Sequence, residues 1–444
     1  MLLNLTVSNW TSFSDEASLV LTNSLERQHS QTLGKIPGFR SKKALPVAAV
    51  YGGNASGKTN LFSALSVLQQ MVVIDPGVDG VVPVVPFLLD ADSRNAPILF
   101  DITFLTSEKV FRLTVEATRD KVLYESLELL TERKAIDIYE RDADEQERFT
   151  FDDRFFSDDH HVHYAAKSTR DNQLFLQSAV AQNIDELRVA YDWFDSSLEL
   201  IGVESQAWNF ASYVTDQEGF LDYVADALAS LDTGVVGLRG SSIGLDNLPS
   251  SSRLRKDIDE LESDELLTLV GGRTAGDYGF DMITVKREDG ELKAEVLHSL
   301  HIGPDGVEHA MPLSMESSGT QRLMGLMPML FDLSRSSAGK TEKVYVVDEL
   351  DRCLHTMLTS RLIEDFLAGC GPDTRKQILF TTHDLLLMDQ SLMRRDEMFI
   401  VQRDGCGRSE LIGLSEYDGI RYDKDLVRSY LDGRFGGIPM LREA

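Results

Sequence analysis

The chain has 444 residues, 42% hydrophobic and 26% charged, the balance of an ordinary globular protein with core enough for two or three domains. Asp and Glu number 72 against 44 Lys and Arg, a formal net charge of −28, which excludes any global attraction to DNA and points to protein partners or to solubility. The longest apolar runs, such as Val81–Leu89, are too short to span a membrane, and the first residues lack the charged and apolar regions of a signal peptide. A cytoplasmic protein is expected, with Cys353, Cys370 and Cys406 as reduced core thiols, since their spacing pairs none of them.

Residues 1–135 read as strand segments around one helix. The apolar run Val47–Tyr51 leads into Gly-Gly-Asn-Ala-Ser-Gly-Lys-Thr at 52–59, and helix-like Leu61–Leu68 follows. Strand, glycine loop and helix are the context a P-loop requires: the glycines let backbone N–H groups converge on phosphate oxygens, and the helix N-terminus adds its positive dipole end. Gly52, Asn54, Ala55, Ser56, Gly57, Lys58, Thr59 and Asn60 are the expected nucleotide-binding residues. Lys58 would reach the β- and γ-phosphates and Thr59 would ligate Mg²⁺. Leu99–Leu105 and Val110–Val115 alternate as half-buried strands about a Thr-Ser-Glu-Lys turn.

Residues 136–272 are expected to form acidic loops and a helical insert. Asp142–Asp159 is acid-rich and solvated. His160, His161 and His163, beside Asp158 and Asp159, match no standard zinc frame. Gln173–Leu231 has helical anchors at Leu187, Val189, Tyr191, Phe194 and Leu198. Gly234–Ser252 reads as a flexible connection, and Arg253–Leu269 as a charged amphipathic helix. No sustained heptads occur, so a long coiled coil is absent from the expectation.

Residues 273–444 begin with two strands, Met282–Arg287 and Leu292–Leu297, around a Glu-Asp-Gly turn. Ser317, Ser318, Gly319, Thr320 and Gln321 open a helix and could face phosphate or simply cap it. Thirty residues past Ser318, the strand Val344–Val347 ends in Asp348 and Glu349. Asp348 suits a carboxylate that binds Mg²⁺ directly or through one of its ligands, and Glu349 could polarise an attacking water. A further strand, from Gln377, ends at His383, 35 residues past Asp348, as one β-α-β step would place it. His383 could contact the γ-phosphate.

In this order the motifs resemble the ABC-type ATPase fold in its soluble branch, with the SMC- and OLD-like proteins. Ser317–Gln321 looks like a degenerate Leu-Ser-Gly-Gly-Gln signature, and Asp351 takes the D-loop position. The stretches around 47–65, 316–323, 346–355 and 379–384, with Tyr430–Pro439, look more closely like the bacterial AAA-15-type ATPase/GTPase-subunit family. Asn9–Phe13 resembles that family's N-terminal motif, with Thr11 in place of its common arginine. The resemblance implies an α/β ABC-type P-loop head, a mixed-sheet lobe plus a helical lobe, with a short helical insert and no long coiled coil. It also implies a homodimer or higher oligomer with ATP sandwiched between chains, each nucleotide meeting one P-loop and the Ser318–Gly319 signature of the other chain.

Relatives of this kind, such as the ATPase subunits of PARIS and Septu, work in anti-phage defence beside a separate effector or toxin, and a phage protein can be the trigger. The leading expectation is therefore an ATP- and Mg²⁺-dependent ATPase controlling a separate effector, with Glu349 and His383 catalytic and no nuclease centre of its own. A DNA-repair or DNA-end-processing head is the alternative, which the acidity and the missing coiled coil disfavour.

Overall fold

The computed structural model describes residues 1–156, 159–202, 206–231, 233–244, 258, 261, 266–272, 280–288, 291–335, 342–417 and 424–437. They divide into two compact units. The first comprises residues 1–201, 337–350 and 360–444; the second comprises 202–336 and 351–359. These limits differ from the expected breaks at 135/136 and 272/273.

The first unit holds two large sheets. One is antiparallel and seven-stranded, in the order 149–151, 135–142, 122–130, 109–117, 98–106, 2–8, 17–20. The other is six-stranded, in the order 198–201, 343–347, 376–381, 47–51, 398–403, 409–413; it is parallel except for its last strand. Every residue of Val47–Tyr51 is buried, as expected of a central parallel strand covered on both faces. The helix Lys58–Val73 follows it and buries Leu61, Ala64, Leu65 and Leu68. These join Leu5, Val7, Phe100 and Ile102 of the antiparallel sheet and Val50, Val346 and Leu379 of the parallel one in a single core. That helix is therefore the packing layer common to both sheets, and its start is fixed by their combined core.

The second unit is built on the long strand Glu291–Ile302. One edge pairs with Val235–Ile243; the other pairs with Phe280–Glu288 and then with Glu308–Pro312. Leu266–Gly272 extends the sheet beyond Phe280–Glu288. Helices Gln206–Asp216, Phe220–Ser230 and Ser318–Ser334 share a core with it through Phe210, Phe220, Val224, Leu297, Met324 and Met327.

The insert is thus mixed rather than helical. Val235–Ile243 is a strand where a flexible connection was expected, and residues 245–250 lie outside the described set. Leu266–Gly272 is a strand where the end of a helix was expected; most of 253–265 lies outside the described residues. Leu198, expected on a helix, opens the edge strand Leu198–Ile201. The longest helix described is the 17-residue Ser318–Ser334. Nor are the cysteines core thiols: all three are free, with Cys353 and Cys406 exposed and Cys370 partly buried.

Candidate functional site

The loop at 52–59 has a backbone that small residues alone permit. Gly52 and Gly57 lie at φ 153° and 115°. A Cβ on Gly52 would stand 2.3 Å from the Val401 carbonyl oxygen, and one on Gly57 would stand 2.5 Å from Ser409 Oγ. Gly57 caps the following helix without a side-chain hydrogen bond, which leaves the first-turn N–H groups available to an anion. Ser56 Oγ is buried there with no hydrogen-bond partner among the described residues. Lys58 Nζ donates to the Gly52 and Gly53 carbonyls at 2.8 and 3.1 Å, which holds a buried ammonium over the loop.

Neighbouring elements brace this loop. Asn60 Nδ2 donates to Ser12 Oγ at 2.8 Å, and Trp10 Nε1 donates to the Asn60 carbonyl at 2.7 Å. Ser409 Oγ donates to the Ser56 carbonyl at 2.6 Å. The Asn9–Phe13 motif therefore serves as a brace and places Thr11 and Ser12 on the cavity wall. Gln69, on the helix, donates to the Phe194 and Leu198 carbonyls and is structural.

The acidic strand end meets the P-loop. Thr59 Oγ1 donates to Asp348 Oδ2 at 2.9 Å, and Thr381 Oγ1 donates to Asp348 Oδ1 at 2.6 Å. The Glu349 N–H donates to the same Thr381 hydroxyl at 2.7 Å, so one threonine fixes both acids. Glu349 sits at φ 50°, a left-handed conformation rare for a side chain of this kind and one that concentrates at functional sites. His383 Nε2 lies 3.9 Å from Glu349 Oε1.

Glu349, His383, Lys58 and Thr59 line one cavity of about 700 Å³, within the size range of small-molecule and cofactor sites. Its donor set suits a nucleoside triphosphate with Mg²⁺: N–H groups and an ammonium for phosphate, a hydroxyl and a carboxylate for the cation.

Sequence reasoning missed part of the cavity lining, formed by Val85–Leu89, Arg403 and Gly407. Asn9 sets part of it: its Oδ1 accepts from the Phe87 N–H at 3.1 Å while its Nδ2 donates to the carbonyls of Ser93, Ala96 and Pro97. Leu88 and Leu89 are more than half exposed, and Arg403 Nε donates to the Gly407 carbonyl at 3.0 Å. The one signal in the sequence was the apolar run Val81–Leu89, read only for its length.

The signature residues belong to the second unit. Ser317 caps the helix Ser318–Ser334, its Oγ accepting from the Thr320 N–H at 3.1 Å. Ser317 and Ser318 are exposed, whereas Thr320 and Gln321 are buried. Gln321 Nε2 is directed at the carbonyls of Leu313, Ser314 and Glu316, so its amide tethers the preceding turn. The Asp351 carbonyl accepts from the Leu354 N–H at 3.0 Å in the same unit. His161 and His163 are used locally, by the Gln182 carbonyl and the Phe151 ring. Among the described residues no group of three or more His, Cys, Asp or Glu could hold a metal ion, and no helix is long and apolar enough to cross a membrane.

The P-loop after a buried parallel strand, with Asp348 and Glu349 at the end of the strand 343–347 two places along the same sheet, has the arrangement of a P-loop nucleotide-binding domain in a mixed α/β fold. Residues 47–389 match the family described as "AAA domain, putative AbiEii toxin, Type IV TA system", and the chain belongs to that family. Nucleotide binding follows from membership. The family matched is this one, where the motifs had suggested the AAA-15 type; the broader expectation of a P-loop ATPase domain stands. No curated protein sequence matches the chain. Among solved structures it is similar to the SMC head domain from Thermotoga maritima, at 13% identity and a TM-score of 0.37 over 93% of this chain and 98% of that one. It is also similar to an SMC head bound to the C-winged helix domain of ScpA, at 12% identity and a TM-score of 0.41 over 93% and 97% of the two chains.

Proposed function

We propose that this chain is a cytoplasmic ATPase subunit that binds ATP with Mg²⁺, hydrolyses it between two copies of itself, and uses the cycle to hold or release a separate effector protein in bacterial anti-phage defence. One observation carries the enzymatic part: Lys58, Thr59, Glu349 and His383 converge on one cavity beside a P-loop, with Asp348 bonded to Thr59. Lys58 and the loop N–H groups take the phosphates, while Thr59 and Asp348 take Mg²⁺. Glu349 orients the attacking water and accepts its proton, and His383 stands beside it toward the γ-phosphate. Ser318 and Gly319, with Asp351 two residues after Glu349, complete the partner chain's site.

The effector part is supported by the toxin–antitoxin wording of the family description and by the net charge of −28, which favours a protein partner over nucleic acid. The insert is its docking region. ATP can shift the grip on an effector only if the head's two states bind that effector with different affinity.

The experiment compares wild type with Glu349→Gln. Mg²⁺-dependent ATP hydrolysis should fall by about 10²–10⁴-fold with ATP binding kept. Affinity for the co-purifying protein, measured with and without ATP, should change with nucleotide and lock in the variant. Wild-type turnover in the variant removes Glu349 from the chemistry. Equal effector affinity in all four conditions removes the coupling, and salt-sensitive DNA binding in place of protein binding returns the DNA-end reading.

A further inference from the structure

The turn before the signature helix ends in a carboxylate that the helix itself does not use. Glu316 directly precedes the N-cap Ser317, and its side chain is only 4% exposed. Its Oε1 accepts from the Ser299 hydroxyl and, at 2.6 Å, from His301 Nε2. Both donors lie on the long strand Glu291–Ile302 of the insert sheet.

Their register explains why they meet it. Alternate residues of a strand share a face, and Leu297, two positions before Ser299, packs in the core with Leu323, Met324 and Met327 of the signature helix. Ser299 and His301 continue that face past the apolar contact. There the next group over the sheet is not a methyl but the Glu316 carboxylate. From the other side Gln321 Nε2 donates to the Glu316 carbonyl at 3.0 Å. The turn 313–317 is therefore gripped twice, by its own helix and by the sheet. Hydrogen bonds to a carboxylate are among the stronger ones, and a buried carboxylate that loses them must shift toward water.

We propose that Ser299 and His301 are positioning residues which, through Glu316, set where the exposed Ser317–Ser318 start of the signature helix stands, and so tie the insert sheet to the rate of ATP hydrolysis. This rests on the signature role given to Ser318 and Gly319 above. It extends that role by giving the insert a mechanical connection to the step it would control: a partner that displaces the strand at 299–301 displaces the signature turn with it.

The test uses the full-length chain. His301→Leu should lower kcat by about 10- to 100-fold, the scale of an ångström-sized misplacement, with ATP affinity unchanged. His301→Gln, which keeps an N–H donor of similar reach, should restore most of kcat. Ser299→Ala, a gentler change should the leucine variant fold poorly, should give a smaller fall of the same kind. The His301→Leu, Glu316→Gln double variant should be no slower than the slower single one, because both break the same link.

Ser318→Glu is the control for the underlying role. If it abolishes hydrolysis while His301→Leu and Ser299→Ala turn over like wild type, the positioning proposal is wrong and the signature role survives. If Ser318→Glu itself hydrolyses normally, the signature role fails and the proposal fails with it. Loss of kcat, ATP affinity and melting temperature together in every His301 variant, with no rescue by glutamine, would also overturn it, as that is the mark of a purely structural histidine.

Discussion

Thr59 and Asp348, 289 residues apart in the chain, are joined by a 2.9 Å hydrogen bond from hydroxyl to carboxylate. The other carboxylate oxygen is held by Thr381 at 2.6 Å. A hydroxyl and a carboxylate fixed in contact would supply two of the six oxygens of an octahedral Mg²⁺ shell, phosphate and water the rest. Asp348→Asn keeps the shape but removes the charge, so it should raise the Mg²⁺ concentration needed for half-maximal hydrolysis by about 10–100-fold. Nucleotide binding without metal should be retained. A Mg²⁺ titration checks this, and an unchanged midpoint would take Asp348 out of the metal site.

Lys58 supplies the cation of the loop, its ammonium resting on the Gly52 and Gly53 carbonyls. Lys58→Ala leaves those carbonyls in place and removes the charge that phosphate would attract. ATP affinity should drop by at least about tenfold, the effect of roughly one charge-assisted hydrogen bond. Calorimetric titration reads it directly, and wild-type affinity would contradict the assignment.

Stability should carry a pH signature from a place remote from this chemistry. Burial, with the Asp396 carboxylate adding to it, pushes the Glu397 carboxyl from 4.5 up to about 8. Its Oε2 accepts from the Arg394 N–H at 2.8 Å, while Oε1 is buried without a partner. Between those two values the folded state holds a proton that the unfolded state has lost. The contribution is therefore full below about pH 4.5 and is lost as pH rises through about 8. Glu397→Gln abolishes that titration. Its melting temperature should fall less between pH 6 and about pH 9 than that of the wild type; parallel declines would rule Glu397 out as the source.

The parts of this molecule that the sequence made legible are those where backbone chemistry leaves little choice. A loop demanding φ 153° at Gly52 and 115° at Gly57 must be written with glycine. A strand buried along its whole length, as Val47–Tyr51 is, must be written in apolar residues. The insert strands were hidden because Val235–Ile243 is largely exposed and carries Gly240, Ser241 and Ser242, so neither alternation nor β-branched richness marks it. The Val85–Leu89 wall was hidden for another reason. It has no periodicity of its own and owes its place to Asn9, nearly 80 residues earlier. Gln321 illustrates a third limit: the spacing of a motif does not say whether a side chain turns inward to hold its own turn, as this one does.

The central claim is that one ATP site is completed by two chains, and mixing two inactive variants tests it most directly. Gly319 is a poor site for the second lesion, since a Cβ there would stand 2.8 Å from the Cys353 carbonyl oxygen. Ser318 is exposed at the first turn of its helix, where a carboxylate favours the helix but repels phosphate. Ser318→Glu and Lys58→Ala chains should each be inactive alone. Mixed, with heterodimers verified by two affinity tags, they should regain a substantial fraction of wild-type hydrolysis, because one composite site per heterodimer keeps both halves intact. Verified heterodimers that hydrolyse no ATP would contradict the shared site and leave each chain to work alone.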